Sequence, residues 1–431
     1  MIWKIFHFSV YTQRFTKRCD MEIKKISLRE YQKQAVELIL SDINVRGNSI
    51  VSLPTGSGKS VVIAEVARQL NQHILILSPS KEITEQNLSK LLNYISRDEI
   101  GIYSASMKEK TIKRITLATI GSIYKIPELF EHFKIVLFDE CHLLNPREEG
   151  GMFTSFLLNI GNPKVIGFTA SPWRLSSKYE AVGGNWYSGC DTEIVTTTKF
   201  LTRTGIWNKE TKTTNIFWKR IIFNMTMKEL IDLGFLIQPT YFFNSTIDHK
   251  DIPTNKSASD FDLEKYVQLI SSREDAIMDT IRRAQEVSHS VLVFCGTVEQ
   301  AERLSSVVIG SSVVSAKTPK KEREKIIEKF KQGITKTVFN VSCFTTGFDS
   351  PLLSTIILLR PTKSIGLYMQ MLGRVVRIAE GKTIARVIDF SGTVKSIGKI
   401  ENIRAEKVDG KWDIVTEKGL WHDRVLYKFQ R

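Results

Sequence analysis

The stretch SLPTGSGKSVVI, residues 52–63, decides the fold. It lies between the apolar, β-rich run 48–53 and a helical pattern, so we expect a glycine-rich turn that joins a strand to a helix. Gly56 and Gly58 permit backbone conformations that point successive amides at an anion, and the helix N-terminus adds its positive end. The stretch therefore predicts a phosphate-binding loop in an α/β protein.

The same loop indicates which groups grip a nucleotide. Lys59 can reach the β- and γ-phosphates, and the Ser60 hydroxyl can ligate Mg²⁺. Leu53 stands where the general pattern has its first glycine. The predicted cofactors are ATP and Mg²⁺. The loop residues predicted to bind them are Pro54, Thr55, Gly56, Ser57, Gly58, Lys59 and Ser60.

Two carboxylates end the apolar run 134–140. Acids without a partner next to a core are costly unless a cation waits there. Asp139 is placed to bind Mg²⁺, and Glu140 is placed to orient and deprotonate an attacking water. An exposed acidic turn is the alternative for this pair alone, and the presence of Lys59 disfavours it. We therefore expect hydrolysis, with His142 as a coupling residue rather than a metal ligand.

Apolar β-rich runs alternate with helical patterns in both halves of the chain. Strands that are apolar throughout indicate a parallel sheet covered on both faces, so we predict two α/β domains in tandem. The runs lie at 48–53, 73–78, 114–119, 134–140 and 164–171 in the first half, and at 290–297, 311–317, 336–342, 354–360 and 385–391 in the second.

Changes in composition suggest domain boundaries. The predicted segments are an N-terminal extension (1–27), an ATP-binding domain (28–240) with a basic insert near 179–228, a linker (241–275), a second domain (276–391) and a small C-terminal β-like tail (392–431).

The chain of 431 residues has a formal net charge of +15. Such an excess favours a polyanionic partner, most often nucleic acid, although a merely basic surface is the alternative. The five cysteines form no CxxC pair, which argues against a zinc site or a disulfide framework and favours a reducing, cytosolic setting. No apolar run reaches the roughly 18–20 residues that cross a bilayer.

The second half contains YMQMLGRVVR, residues 368–377. On a helix, Gln370, Arg374 and Arg377 would share one face at spacings of four and three. The arginines could then enter the ATP cleft from the opposite domain and stabilise charge on the transferring phosphoryl group. A solvated basic face and a DNA contact are the alternatives.

The insert combines basic and aromatic side chains over residues 199–223. This mixture suits phosphate contact and base stacking, although its aromatics could instead form a small core of their own. We favour the core for most of the aromatics and nucleic-acid contact for the basic set, chiefly Lys199, Arg203, Lys219 and Arg220.

Nine short motifs in order resemble those of superfamily 2 helicases, in the DEAD/DEAH-box or DExH group. Within that group the chain is most similar to phage and bacterial helicases of branched DNA, the UvsW-like and RadD-like types. The motifs are LREYQ (28–32), PTGSGKS (54–60), LSPSKEITEQ (77–86), ATIGSI (118–123), DECH (139–142), FTAS (168–171), VLVFCGTVEQAERL (291–304), TTGFDSP (345–351) and QMLGRVVR (370–377).

The resemblance implies RecA-like domains and further site residues. Gln32 would read the adenine edge with Arg29 near the nucleotide, and Thr169 and Ser171 would link the state of ATP to domain closure. Other positions would contact ATP across the cleft (Gly347 and Asp349), act as arginine fingers (Arg374 and Arg377), or hold the nucleic-acid backbone (Ser78, Pro79, Ser80, Thr119, Gly121 and Ser122).

The leading expectation is an ATP-dependent DNA helicase or translocase that unwinds or branch-migrates forked and branched DNA in replication, recombination or repair. We expect a monomer in the cytoplasm of a bacterium or of a phage-infected host. An RNA helicase, an ATP-gated clamp on duplex DNA and the motor of a restriction system are the alternatives.

Overall fold

The structure is a computed structural model. It describes residues 27–144, 151–181, 192–208, 213–245, 247–255, 260–343, 350–420 and 427–430. Within these ranges no helix has the length and apolar character needed to cross a bilayer.

The first half is built on an eight-stranded sheet that is parallel except for its last short strand. Several of its strands are buried along their whole length, which is the pattern of a parallel sheet covered on both faces. In spatial order the strands are β12 (Trp218–Asn224), β1 (Asn48–Ser52), β7 (Lys164–Thr169), β6 (Ile135–Asp139), β2 (Ile74–Ser78), β5 (Ile115–Thr119), β3 (Ile100–Ser104) and β4 (Glu109–Lys110).

The second half is built on a six-stranded sheet in which every strand is parallel to its neighbours. In spatial order its strands are β13 (Pro239–Phe243), β18 (Ala385–Asp389), β17 (Thr355–Leu359), β14 (Val291–Cys295), β16 (Thr337–Asn340) and β15 (Ser311–Val314). The predicted α/β class with two tandem parallel-sheet domains is confirmed. All ten predicted apolar runs contain a strand of one sheet or the other.

Helices connect the strands. Those of the first half are α1 (Glu30–Asp42), α2 (Lys59–Gln69), α3 (Lys81–Leu91), α4 (Ile120–Ile123), α5 (Met152–Asn159) and α6 (Met227–Asp232). Those of the second half are α7 (Leu263–Leu269), α8 (Glu274–Val287), α9 (Val298–Val307), α10 (Lys320–Lys331), α11 (Ile365–Leu372) and α12 (Thr393–Ile397).

The insert and the tail form smaller antiparallel sheets. Asn224 of β12 donates to the carbonyl of Ala405, so the tail also touches the first half and not only the second. The insert strands are β8 (Trp173–Ala181), β9 (Thr192–Phe200), β10 (Gly205–Asn208) and β11 (Thr213–Ile216); the tail strands are β19 (Arg404–Val408), β20 (Lys411–Thr416), β21 (Gly419–Leu420) and β22 (Tyr427–Gln430), the last of which pairs with β9.

Residues 241–275 are not the exposed linker that their polar composition predicts. β13 begins at Pro239 and is an edge strand of the second sheet, so the predicted boundary at 240 cuts a strand. Apolar side chains spaced along the segment then enter the core of the second half. These are Ile252, Phe261, Tyr266 and Ile270.

The buried aromatic side chains of the insert that the structure describes pack into the main core of the first half and do not form the small core of their own that we expected. Trp218 is fully buried, and a Cβ on Gly167 of β7 would lie 2.4 Å from its ring, so the glycine makes room for the indole. Phe200 packs edge-on against Trp173 with ring centroids 5.6 Å apart.

A buried ion network ties the first sheet to α1. Asp42, only 6% exposed, accepts hydrogen bonds from Ser49 Oγ at 2.6 Å, Lys164 Nζ at 2.8 Å and Arg220 Nε at 2.8 Å. Burial alone would raise the pKa of Asp42, but the bonds from these three groups outweigh burial and lower it. One carboxylate therefore links α1 to β1, β7 and β12.

We predict that Asp42→Asn destabilises the protein by about 2 kcal/mol at pH 7, because the substitution leaves two partly buried cations, Lys164 and Arg220, without their counter-charge. The folded-state pKa of Asp42 lies below its unfolded value, so its contribution is complete above about pH 4 and fades as the pH falls further. Urea unfolding between pH 7 and pH 3.5, with the exposed Asp98→Asn as control, measures both effects. A difference below about 0.5 kcal/mol at pH 7 contradicts this role.

Candidate nucleotide site between the two sheets

The phosphate-binding loop leaves the carboxyl end of β1 and enters α2. Gly56 and Gly58 both have left-handed backbone, with φ of +89° and +82°. Gly58 has a second reason to be glycine, because a Cβ there would lie 2.6 Å from Gln32 Nε2. The carbonyl of Ser57 accepts hydrogen bonds from Tyr31 Oη at 2.6 Å and from Gln32 Nε2 at 2.9 Å, so α1 holds the loop open.

A cavity of about 340 Å³ lies in front of this loop and is walled by both halves of the chain, a size that ligand sites commonly have. The first half contributes Arg29, Thr55, Gly56, Gly58, Lys59, Ser60, Val61, Ile83, Gln86, Lys90, Asp139, Glu140 and Phe235; the second contributes Pro351, Gln370, Arg374, Arg377 and Ile378.

Lys59 and Glu140 form an ion pair inside this cavity, with Nζ and Oε1 2.9 Å apart. Burial alone would lower the pKa of Lys59, but the carboxylates of Glu140 and Asp139 raise it. Burial alone would raise the pKa of Glu140, but Lys59 lowers it. Both groups are therefore charged at neutral pH.

Glu140 also carries local backbone strain. Its φ of +55° and ψ of +47° put a residue with a side chain in the left-handed region. Such conformations are costly and concentrate at functional sites, where the surroundings hold them in place. Here the turn aims the carboxylate back over the sheet edge toward Lys59.

Asp139 ends β6 and is 4% exposed. Its Oδ2 accepts from Asn87 Nδ2 at 2.9 Å, and its Oδ1 accepts from the backbone amide of Glu140 at 3.0 Å. Burial raises its pKa, which is the electrostatic sign of a carboxylate that gains from a cation.

The donor set suits Mg²⁺. Ser60 and Asp139 line the same cavity and offer a hydroxyl and a carboxylate, the hard oxygen ligands that Mg²⁺ takes alongside water and phosphate. Among the described residues, His, Cys, Asp and Glu side chains form no group of three able to hold a metal. The chain therefore fits a cation that shares its ligands with a bound nucleotide, and not a cation in an all-protein cage.

His142 connects the cavity to the loop after β7. Burial lowers its pKa, so the ring is neutral at pH 7. Its Nδ1 lies 2.9 Å from Thr169 Oγ1, and Thr169 Oγ1 in turn accepts from the amide of Ser171 at 3.0 Å. The three residues predicted as a coupling group are thus in one continuous chain of contacts.

The second half joins this chain directly. Gln370 Nε2 lies 3.2 Å from His142 Nε2. Because the amide nitrogen can only donate, Nε2 of the neutral ring is its acceptor and Nδ1 carries the proton toward Thr169. The hydrogen-bond direction therefore runs from the second half into the first.

Glycine lets the two halves approach closely at this point. A Cβ on Gly373 would lie 2.8 Å from Thr55 Cβ of the phosphate-binding loop. A Cβ on Gly366 would lie 3.3 Å from Ser171 Oγ. A larger residue at 373 would separate the loop from the arginine-bearing segment.

Arg374 and Arg377 do not lie on a helix as predicted. α11 ends at Leu372, and residues 373–376 form turns before Arg377 makes a β-bridge with Leu236. Both arginines nevertheless line the cavity, and Arg374 contributes to lowering the pKa of Glu140. Lys382 fixes the segment, since its Nζ donates to the carbonyls of Val375 at 2.6 Å and Arg377 at 2.7 Å.

The predicted reader of the adenine edge is placed differently. Gln32 is 4% exposed, and its amide is used to accept from the Arg29 amide at 3.0 Å and to donate to Ser57. Arg29 lies at the cavity wall, with its guanidinium carbon 4.0 Å from the centre of the Phe235 ring. A planar cation on an aromatic ring offers a stacking surface for a base, whereas Gln32 supports the loop.

Two predicted nucleic-acid segments lie side by side. Ser78 of β2 and Thr119 of β5 are register partners at the carboxyl edge of the first sheet, the same edge as the phosphate-binding loop. Ser122 Oγ lies 2.8 Å from Thr119 Oγ1, and Gly121 is exposed. Pro79 and Ser80 follow β2, and Ser80 caps α3 by accepting from the amide of Ile83.

Two of the basic residues predicted to bind nucleic acid lie elsewhere. Lys219 and Arg220 are in β12, which is parallel to β1 and pairs with its amino end, so they lie at the opposite edge of the sheet. Arg220 belongs to the Asp42 network, and the Lys219 stem packs over Gly47. Arg220 therefore serves the fold, whereas a nucleic-acid role for the exposed Lys219 stays a prediction.

Four predicted site residues remain: two basic residues of the insert and two residues predicted to contact ATP. Arg203 donates to the carbonyl of Trp412, and this bond joins the insert to the tail. Lys199 of β9 is the register partner of Arg174 of β8. A nucleic-acid role for Arg203 and Lys199 stays a prediction. Gly347 and Asp349 lie outside the described residues.

Several residues at or beside the site have no role predicted from the sequence. Phe235 follows α6, and Asn87 is one polar residue among many in a helical pattern. Gln86 and Lys90 reach the cavity from the same helix because they follow Ile83 at spacings of three and seven. The sequence shows this spacing, but it does not predict which face of α3 lines the cavity.

Comparison with known proteins agrees with this geometry. Residues 25–174 match the family described as "Type III restriction enzyme, res subunit", and residues 272–379 match "Helicase conserved C-terminal domain". The chain is 26% identical over 400 residues to the Saccharomyces cerevisiae "Putative ATP-dependent helicase IRC3", a match that covers 86% of this chain and 52% of the yeast protein. The chain thus spans about half of that relative's length.

A second relative is covered more fully. The "DNA 3'-5' translocase XPB2" of Sulfurisphaera tokodaii is 28% identical over 381 residues, which are 86% of this chain and 83% of the translocase. Among solved structures, a fragment of a putative HsdR subunit of a type I restriction enzyme from Vibrio vulnificus YJ016 superposes with a TM-score of 0.61 at 18% identity, covering 89% of this chain and 70% of that one. This last likeness shows the fold.

The two helicase regions, the relatives and the RecA-like pair of sheets lead to one conclusion. These findings support a superfamily 2 helicase of the DExH type.

Proposed function

We propose that this chain is an ATP-dependent DNA translocase and helicase that acts on forked or branched DNA. The observation that carries the proposal is the shared cavity, in which Gln370, Arg374 and Arg377 of the second half face Lys59 and Glu140 of the first. A site built from both halves makes their relative position depend on the nucleotide, which is what directed stepping requires.

Lys59 and Glu140 would change partners when ATP binds. The β- and γ-phosphates attract Lys59 away from Glu140, to which it is joined at 2.9 Å. Glu140 then loses its main positive neighbour, so its pKa rises toward that of a useful base and its carboxylate becomes available to a water. The ion pair thus keeps the base occupied until substrate arrives.

Arg374 and Arg377 would stabilise the charge that develops on the transferring phosphoryl group. Arginines inserted from a second domain typically contribute about 10³–10⁵ in rate. Mg²⁺, held by Ser60 and Asp139, would supply charge neutralisation across the phosphates. The contact from Gln370 to His142 would report the state of the γ-phosphate side of the cavity to the second half.

Two observations support a nucleic-acid polymer, the net charge and the position of two segments, and a third, the name of a relative, favours DNA. The XPB2 relative carries a DNA translocase name, the chain has a net charge of +15, and the segments around Ser78 and Thr119 lie together at the edge that bears the ATP site. The preference for forked or branched DNA draws on the sequence resemblance to UvsW-like and RadD-like helicases. We also propose that the protein is a monomer, since one chain supplies both walls of the cavity. We propose a cytoplasmic location as well.

The Glu140→Gln variant should bind ATP and retain DNA binding while its hydrolysis rate falls by about 10²–10⁴, because an amide cannot accept the proton of the attacking water. Lys59→Ala is the comparison: it should lose turnover because it loses phosphate contact. Steady-state phosphate release and nucleotide filter binding measure the two effects. Brisk hydrolysis by Glu140→Gln would refute the assignment of the base.

ATPase stimulation by a panel of polymers tests the substrate. We expect forked DNA and Holliday junctions to stimulate most, with strand displacement that needs ATP and disappears in Lys59→Ala. Affinity should fall steeply between about 50 and 200 mM salt because several phosphates are neutralised together.

Stronger stimulation by RNA would contradict the DNA assignment. Stimulation by duplex DNA without strand displacement would instead favour a clamp or a restriction-type motor, the description that the first-half family carries. A flat salt response would remove the case for a groove that holds the backbone.

A further inference from the structure

Asn87 is a buried polar residue that none of the helicase motifs explains. It lies on α3, is 1% exposed, and donates from Nδ2 to Asp139 Oδ2 at 2.9 Å. The two residues are 52 positions apart in sequence, so only the fold brings them together. A carboxylate accepts and cannot donate when ionised, which fixes the amide with its nitrogen toward Asp139.

The oxygen of the same amide group is not satisfied by any residue that the structure describes. Asn87 Oδ1 is buried and has no hydrogen-bond partner among the described residues. Burying such an acceptor costs free energy unless something satisfies it, and the water shell of a hydrated cation beside Asp139 supplies donors of the right kind.

We propose that Asn87 is a positioning residue that holds the Asp139 carboxylate, and the waters beside it, in the orientation that Mg²⁺ needs. The inference rests on the proposed ATP site and adds a residue to it. A hydrogen bond at each oxygen, from Asn87 and from the Glu140 amide, stops the carboxylate from rotating about its last bond. Ligand orientation by partners outside the metal's own ligands commonly changes affinity by about 10–100-fold.

The position of Asn87 also connects the metal side to the proposed nucleic-acid edge. α3 begins after Ser80, which caps it, and Asn87 lies two turns further along the same rigid helix. A shift of the 78–80 segment on polymer binding would therefore move the donor of the Asp139 hydrogen bond. α3 thus connects the 78–80 segment to the residue that bonds to Asp139.

Fluorescence titration with mant-ADP, first in EDTA and then in MgCl₂, tests the inference. In the wild type Mg²⁺ should tighten nucleotide binding; Asn87→Leu, which keeps the branched shape but loses the donor, should reduce that Mg²⁺-dependent gain by about tenfold or more. Affinity in EDTA should stay within about twofold, since Asn87 does not itself line the cavity. Raising Mg²⁺ should recover part of the lost ATPase rate.

Controls separate this role from a structural one. Ser89→Ala, an exposed change on the same helix, should leave the Mg²⁺-dependent gain intact. Asn87→Ala provides a second variant should the leucine fail to fold, and melting curves monitor both. An unchanged Mg²⁺-dependent gain in a folded Asn87 variant would overturn the inference, whereas absence of any Mg²⁺ effect in the wild type would overturn the proposed ATP site instead.

Discussion

Close contact between the two halves at the nucleotide cavity is the constraint on which the rest of the structure depends. Gly373 packs against Thr55 at a distance that leaves no room for a side chain, and Gly366 fits tightly against Ser171. The Gln370–His142 hydrogen bond crosses the same boundary. Because parallel strands present their carboxyl ends at one edge, each sheet delivers its functional loops to this single boundary. The residues that line the nucleotide cavity therefore lie at the same boundary as the residues that join the two halves.

The electrostatics of the site follow from its burial. Lys59, Asp139 and Glu140 bring one positive and two negative groups into a confined space. Burial raises the pKa of Asp139, so the charged form of this carboxylate would be stabilised by a further cation. ATP with its cation would supply new partners, since phosphate takes Lys59 and the metal takes Asp139. Binding of ATP would therefore exchange one set of ionic contacts for another. The coupling chain from His142 to Ser171 adjoins the group, Glu140, whose partner changes.

Sequence reasoning reached the strands and the phosphate-binding loop because both depend on local patterns. Continuous apolar runs mark buried parallel strands, and Gly56 and Gly58 adopt the positive φ that the loop requires. It failed where distant parts of the chain meet. Arg220 bonds to Asp42, 178 residues away, and Gln32 bonds to the Ser57 carbonyl, contacts that no local pattern predicts. The end of α11 at Leu372 was missed because the fit of Gly373 against Thr55 is a tertiary demand.

The account stands on the claim that one nucleotide is held by both halves. Hydrogen–deuterium exchange with and without a non-hydrolysable ATP analogue and Mg²⁺ measures this directly. The account predicts slower amide exchange in the phosphate-binding loop, residues 54–60, and also in residues 371–377 of the second half, and both effects should vanish in Lys59→Ala. Protection confined to the loop, with residues 371–377 unchanged, would contradict it.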